Sequence, residues 1–166
     1  MKLNAAFIGV AAILSACAAD DGGPAASGAA VQSPTRSAVQ TTSTDEYENQ
    51  VRSQISDATD LMRDRGFSLA FEPYYGALDE GEAAAVTATM RSGTQYLFTG
   101  FCDNDCADLD LILFDASDTE ITRDEETDSY PVVAVTPPRS GTYRLVVEMY
   151  DCSNEPCRFG AAMYKR

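Results

Sequence analysis

A dense run of carboxylates occupies residues 103–110 of this 166-residue chain. Asp103, Asp105, Asp108 and Asp110 are hard oxygen ligands of the kind that Ca²⁺ prefers, and neighbouring carboxylates repel each other unless a cation neutralises them. The segment lacks the glycine at position six and the glutamate at position twelve that define an EF-hand. The spacing makes these four residues a candidate calcium site. The alternative is a solvated acidic loop in which Asp110 accepts hydrogen bonds from backbone amides between strands.

Two short cysteine spacings, Cys102-x₃-Cys106 and Cys152-x₄-Cys157, lie in loops at predicted strand ends. Four thiolates could bind Zn²⁺, whereas an even set of cysteines in an exported protein forms a disulfide framework. The N-terminal segment described below indicates export, so we predict disulfides. Four cysteines allow three connectivities, and we predict the sequence-local pairs because each pair brackets one tight loop.

Three tyrosines are candidate binding residues. Tyr74 and Tyr75 follow Pro73, and Tyr150 ends a predicted strand. Tyrosine offers a large contact area at low entropy cost, so these side chains could stack on a sugar or a peptide. Packing in the core or in a hairpin is the alternative.

The composition excludes several classes of function. The chain has no histidine, which is the commonest general base and zinc ligand. Its 26 acidic and 12 basic residues give a net charge of −14. This charge argues against nucleic acid, whose phosphates require lysine and arginine, and against docking to anionic lipid. We therefore predict no catalytic residues and no cofactor other than Ca²⁺; a carboxylate-based hydrolase is the enzymatic alternative.

The N-terminus has the features of an export signal. Lys2 precedes an apolar run that is too short to span a bilayer. The sequence Leu14-Ser15-Ala16-Cys17 resembles the lipobox of bacterial lipoproteins. That resemblance implies a signal peptide over residues 1–16 and a lipid on Cys17, and Ala18 favours the outer membrane. The alternative is ordinary secretory cleavage after Ala16, which leaves a free thiol.

Residues 17–43 then predict a flexible linker, because alanine, glycine, serine, threonine and proline dominate and large apolar residues are scarce.

Residues 44–66 predict an amphipathic helix. Ser43 and Glu46 match a capping box, apolar residues recur every three or four positions, and Gly66 suits the residue after a helix end. We expect the apolar stripe to pack on the rest of the domain; a partner-binding helix is the alternative.

In residues 67–166, apolar residues recur with the period of two that is typical of strands. Residues that favour turns separate these alternating runs. The predicted strands span residues 68–75, 84–90, 95–102, 109–114, 120–123, 132–135, 142–150 and 159–164. This pattern predicts a mainly β fold, an antiparallel jelly-roll-like β-sandwich of about eight strands preceded by one helix. Ile112 and Phe114 put apolar side chains on the second face of their strand, so we expect the helix to cover that strand.

Two elements of this region together resemble the bacterial pre-peptidase C-terminal domain family. They are Asp108-Leu109-Asp110-Leu111-Ile112-Leu113-Phe114-Asp115 and Ser140-Gly141-Thr142-Tyr143-Arg144-Leu145. The resemblance covers about residues 77–166. It implies a small β-sandwich that is generally non-catalytic, and some members of the family bind a substrate polymer or Ca²⁺.

These inferences predict a non-catalytic, lipid-anchored module of the cell envelope, exposed to the periplasm or the cell surface. We expect its partner to be an envelope protein or a polysaccharide. The alternative function is structural: an acidic envelope lipoprotein without a discrete ligand.

Overall fold

The structure is a computed structural model that describes residues 45–166. Cys17, the predicted signal peptide and the predicted linker lie outside the described residues, as does Ser43. The described residues belong to one compact unit. Among them, no helix is long and apolar enough to cross a membrane.

The single helix of this region, α1, spans Glu46–Asp64. Its N-cap is Asp45, whose carboxylate accepts a hydrogen bond from the amide of Glu48 at 2.7 Å. The predicted cap at Ser43 is therefore wrong, because Asp45 fills that role two residues later and satisfies one of the orphan donors of the first turn. Gly66 follows the helix with a φ of +81°, the left-handed conformation predicted for a glycine at this place.

Nine strands follow the helix. They are β1 Ser68–Leu69, β2 Tyr74–Leu78, β3 Ala83–Met90, β4 Tyr96–Cys102, β5 Cys106–Phe114, β6 Glu120–Asp124, β7 Val132–Val135, β8 Gly141–Cys152 and β9 Cys157–Lys165. The first predicted strand is in fact two, β1 and β2, which both pair with β9. Pro73 lies between them and cannot donate to a strand ladder.

The strands form two antiparallel sheets. In sheet 1, β1 and β2 pair with β9, and the order continues through β4 to β7; in sheet 2 the order is β3-β8-β5-β6. Two four-stranded paths interleaved in this way, β2-β9-β4-β7 and β3-β8-β5-β6, make a jelly roll. The predicted fold class is confirmed, with nine strands where about eight were expected.

The main core lies between the sheets, where alternate residues of β5 and β8 point inward, among them Leu109, Leu111, Val147 and Met149. A second core lies outside sheet 1, beneath α1. A Cβ on Gly160 would lie 2.6 Å from Cδ1 of Ile55, so only glycine lets the helix approach β9 this closely.

The expectation that α1 covers β5 is wrong, since α1 packs on β9 and β4 of the other sheet. Ile112 and Phe114 instead face outward from sheet 2. The Arg144 guanidinium lies 4.3 Å above the centre of the Phe114 ring and supplies part of the cover that we expected from the helix.

Candidate functional site

The loops at the two ends of the sandwich differ in charge. At the end that we call the acidic end, the loops span residues 79–82, 103–105, 125–131 and 153–156, and every charged residue in them is acidic. At the opposite end, the basic end, every charged residue in the segments 65–67, 91–95, 136–140 and 166 is arginine. Two further segments of this end carry acidic residues: Glu72 follows β1, and Asp115 and Asp118 lie between β5 and β6, where Asp118 pairs with Arg144 at 2.8 Å.

The four cysteines of the sandwich lie at the acidic end. The sulfur atoms of Cys102 and Cys106 are 2.00 Å apart and those of Cys152 and Cys157 are 2.09 Å apart, which is the sequence-local pairing that we predicted. Each bridge closes a loop where the chain crosses from one sheet to the other. The two loops also lie side by side, since Cys106 and Cys152 face each other on β5 and β8.

The Asp103 carboxylate ties these two loops together. It is almost fully buried; one oxygen accepts a hydrogen bond from the amide of Asp105 at 3.1 Å and the other from the amide of Arg158 at 2.5 Å. Asp105 extends the contact, because its carbonyl oxygen accepts a hydrogen bond from the amide of Ser153 at 2.8 Å. Asp103 therefore has the backbone-binding role that the sequence analysis offered for Asp110.

Asp110 is surrounded by like charge. Its side chain is 6% exposed, it lies directly opposite Glu148 on the neighbouring strand, and no described residue donates a hydrogen bond to it. Burial, followed by the charges of Asp108 and nearby carboxylates, raises the pKa of Asp110 to about 6. Asp108 is also buried, one of its oxygens has no hydrogen-bond partner, and burial raises its pKa.

The four candidate calcium ligands are used in different ways. Among residues 45–166, no group of three or more carboxylate, thiol or imidazole side chains is arranged to hold a metal ion. Asp103 is occupied by backbone amides, and Asp105 accepts a hydrogen bond from the side-chain amide of Asn154 at 3.2 Å. Calcium binding thus stays a prediction, and the geometry of the loop gives it no support.

The three candidate binding tyrosines do not share a surface. Tyr74 and Tyr75 are successive residues of β2 and point to opposite faces. The Tyr74 ring lies 5.8 Å from that of Phe159, and the Tyr75 ring lies 3.9 Å below the guanidinium of Arg52. Tyr150 is 64% exposed but stands on β8, in the other sheet. Tyr74 and Tyr75 therefore do not form one stacking surface together, and stacking of a ligand on any one of the three tyrosines stays a prediction.

The described residues also form an apolar concave surface that the sequence analysis missed. We call it the α1–β7 groove, a depression of about 450 Å³ between the helix and the edge strand β7 of sheet 1. Leu61 forms its helical wall, Phe101 lies on its floor, and Tyr130 and Val132 form the opposite wall. Leu61, Tyr130 and Val132 are each about half exposed, at 49, 55 and 46%.

Two buried polar atoms at this groove have no hydrogen-bond partner in the described residues. They are the side-chain oxygens of Gln54 on α1 and Thr99 on β4. A buried polar atom without a partner costs free energy, so such atoms are uncommon in folded proteins. Asp57 adds a carboxylate to the same lining. The groove therefore combines exposed apolar side chains, two unpaired polar atoms and negative charge.

A sequence signal for the groove existed. Tyr130 follows an acidic run and precedes Pro131, so a large aromatic residue sits in a loop without an alternating core pattern. The loop places it against sheet 1: the Tyr130 ring meets that of Phe101 edge-on, with 6.0 Å between centroids. Only the pairing of β7 with β4 brings this loop beside the helix, and that pairing is not readable from local sequence.

No protein-family model and no curated protein sequence matches the chain. Among solved structures, it is similar to the pre-peptidase C-terminal domain of a collagenase from Bacillus anthracis, with 16% identity and a TM-score of 0.45 over 55% of this chain and 86% of that one. It is also similar to a periplasmic inhibitor of g-type lysozyme from Aeromonas hydrophila, with 13% identity and a TM-score of 0.44 over 57% of this chain and 84% of that one. Similarity at this level assigns neither a family nor a function.

Proposed function

We propose that this chain is a non-catalytic module of the bacterial cell envelope, anchored by a lipid on Cys17, that binds a basic protein in the α1–β7 groove. The observation that carries the proposal is the half-exposed apolar wall of Leu61, Tyr130 and Val132 in a chain with a net charge of −14. A contiguous apolar patch with a polar rim is typical of protein-binding surfaces.

The edges of the groove favour a basic partner. Asp57 lines it, and Glu126 and Asp128 precede Tyr130 in the loop that forms its far wall. Lysine or arginine side chains around an apolar anchor would meet these carboxylates, which speeds association and selects against acidic partners.

The chemistry of the described residues supports a binding role over catalysis. The chain has no histidine. The perturbed carboxylate Asp110 and its neighbour Glu148 stand on adjacent strands of a sheet face and do not line the groove. A hydrolase needs such groups to converge in a pocket that excludes water.

Site-specific photocrosslinking in cells that produce the protein naturally tests this function. A photoreactive phenylalanine analogue replaces Leu61 or Tyr130 in the groove, and Glu72 outside it as the control. We expect both groove positions to give an adduct with the same basic protein. The binding of that purified protein should weaken at least tenfold in Leu61→Ser and fall with added salt. Leu69→Ser removes another partly exposed leucine and should leave binding unchanged.

Two results would overturn the proposal. Equal adducts from position 72 would show that contact is not specific to the groove. The absence of any protein adduct at both groove positions would favour the alternative function, a structural acidic lipoprotein without a discrete partner. The lipid anchor is tested separately: Cys17→Ser should move the protein from the membrane fraction to the soluble fraction.

A further inference from the structure

A second concave surface lies at the basic end, away from the α1–β7 groove. It is a cleft of about 500 Å³ between the segment that follows β1 and the turn that joins β3 to β4. Its walls carry Arg91 and Lys165, the Phe71 ring, and the hydroxyls of Thr89 and Thr94. No aspartate or glutamate is among its lining residues, and we call it the Arg91–Lys165 cleft.

The cations of this cleft have no carboxylate partner among residues 45–166. Ion pairs to aspartate or glutamate are made by Arg52, Arg63, Arg123, Arg144 and Arg158. The remaining described cations are Arg65, Arg91, Arg139, Lys165 and Arg166, and all of them lie at the basic end. The chain has more than twice as many acidic as basic residues. It is therefore unusual that the cations at one end have no carboxylate partner.

Two like charges in one cleft repel each other, and a bound anion would remove that cost. The negative charge of the ligand must, however, be confined to a small region next to these two cations. An extended polyanion would also meet the field of the whole protein, whose net charge is −14. A short ligand with one or two negative groups fits within about one Debye length of the two cations, roughly 8–10 Å, and largely escapes that repulsion.

The uncharged walls narrow the ligand class further. The Phe71 side chain is 50% exposed, so one face of an aromatic ring is open to stack against an apolar face of a ligand. The threonine hydroxyls can each donate and accept a hydrogen bond. Sugar rings offer both an apolar face and hydroxyl groups. We propose that the Arg91–Lys165 cleft binds a carboxylated sugar, with the carboxylate between Arg91 and Lys165 and the ring on Phe71.

Two sugars that differ in one group provide the test. N-acetylmuramic acid is N-acetylglucosamine with an added lactyl ether that carries a carboxylate. We expect amide signals of residues 89–96 and 165 of the full chain in detergent to shift with N-acetylmuramic acid. Its Kd should be at least tenfold lower than that of N-acetylglucosamine. Arg91→Gln and Lys165→Gln should each weaken binding about fivefold, and Phe71→Ala should weaken the binding of both sugars.

Arg139→Gln is the matched control, because Arg139 is also an unpaired cation of the basic end but does not line the cleft. The side chains to be changed are exposed, so the thermal unfolding of all variants should match the parent. Equal affinity for the two sugars, or an equal loss of binding in Arg139→Gln, would overturn the proposal. Binding of the dipeptide Ala-Glu with the same dependence on Arg91 and Lys165, but of neither sugar, would assign the cleft to peptide carboxylates and also overturn it.

Discussion

The acidic and basic ends of this sandwich carry the same kind of turns but hold them in different ways. At the acidic end, two disulfides and the buried Asp103 carboxylate tie the loops together. At the basic end, the turn after β3 is held by hydrogen bonds alone, including one from the amide of Arg91 to the Tyr96 hydroxyl at 2.9 Å. The acidic loops repel each other, and the disulfides and the Asp103 hydrogen bonds oppose that repulsion.

The two ends also contribute to two different kinds of surface. The acidic end contributes its loop 125–131 to the wall of an apolar groove, whereas the basic end leaves two cations in an open cleft. A partner that fits one of these surfaces is electrostatically unsuited to the other. The two proposed ligands, a basic protein and a carboxylated sugar, would therefore not compete with each other.

Removing both disulfides should have the largest effect. The bridged cysteines are only 4 and 5 residues apart, so loop entropy gives each bridge about 2 kcal/mol. Replacing all four cysteines by alanine, which avoids burying four serine hydroxyls, should lower the free energy of unfolding by at least about 4 kcal/mol in urea titrations. The variant should still fold, because the other residues of the main core, among them Leu109, Leu111, Val147 and Met149, remain in place.

Amide hydrogen exchange in this variant would sharpen the comparison between the ends. Exchange should become faster in residues 103–105 and 153–156, most of all at low salt, while residues 91–95 keep their parent rates. Equal acceleration at the two ends would contradict the view that charge repulsion, held in check by the bridges, distinguishes the acidic end.

Neutralising Asp110 should stabilise the protein. Its pKa is raised from 3.8 to about 6 in the folded state, so the ionised carboxylate opposes folding. The penalty is absent below about pH 4 and complete above about pH 7. The shift corresponds to about 3 kcal/mol, which screening by solvent reduces to about 1–2 kcal/mol. Asp110→Asn should therefore raise the free energy of unfolding at pH 7.5 and leave it unchanged at pH 3.5.

Glu72→Gln is the matched control for Asp110→Asn, since it removes one exposed carboxylate outside the acidic end. It should change stability little at either pH. A gain of the same size from Glu72→Gln would mean that net charge alone, and not the surroundings of Asp110, sets the penalty.

The sequence predicted most of the fold because its signals are local. Alternation in β8 and the apolar stripe of α1 each depend on residues a few positions apart, so strand and helix positions could be read directly. The disulfide pairing was accessible for the same reason. The helix start was misplaced because serine and aspartate are both good caps, and the contact of Asp45 with Arg158, far along the chain, is not readable from local sequence.

The candidate sites depended on long-range pairing and were largely missed. The groove needs α1, β4 and β7 to meet, and the cleft needs Phe71, Arg91 and Lys165 to meet across the basic end. The acidic run 103–110 is contiguous in sequence and so predicted a single site, yet strand pairing gives its members separate roles. Asp103 binds amides, while Asp110 faces Glu148.

Replacing Asp45 should have the smallest effect, with a pH dependence of opposite sign to that of Asp110. Hydrogen bonds from the Glu48 amide and then from Arg158 hold the pKa of Asp45 below its ordinary value, so the ionised form stabilises the fold. That contribution is present above about pH 4 and is lost as pH falls through the lowered pKa. Asp45→Ala should lower the Tm by a few degrees at pH 7 and by less at pH 3.

Asp45→Asn is the control variant: it keeps an N-cap oxygen and should lose only the part of the stabilisation that is due to Arg158. If the two variants lose the same amount, the Arg158 contact and not the cap stabilises this helix start. If Asp45→Asn raises the Tm as Asp110→Asn does, removing any carboxylate at the acidic end stabilises the protein. The distinction between its paired and unpaired carboxylates would then be wrong.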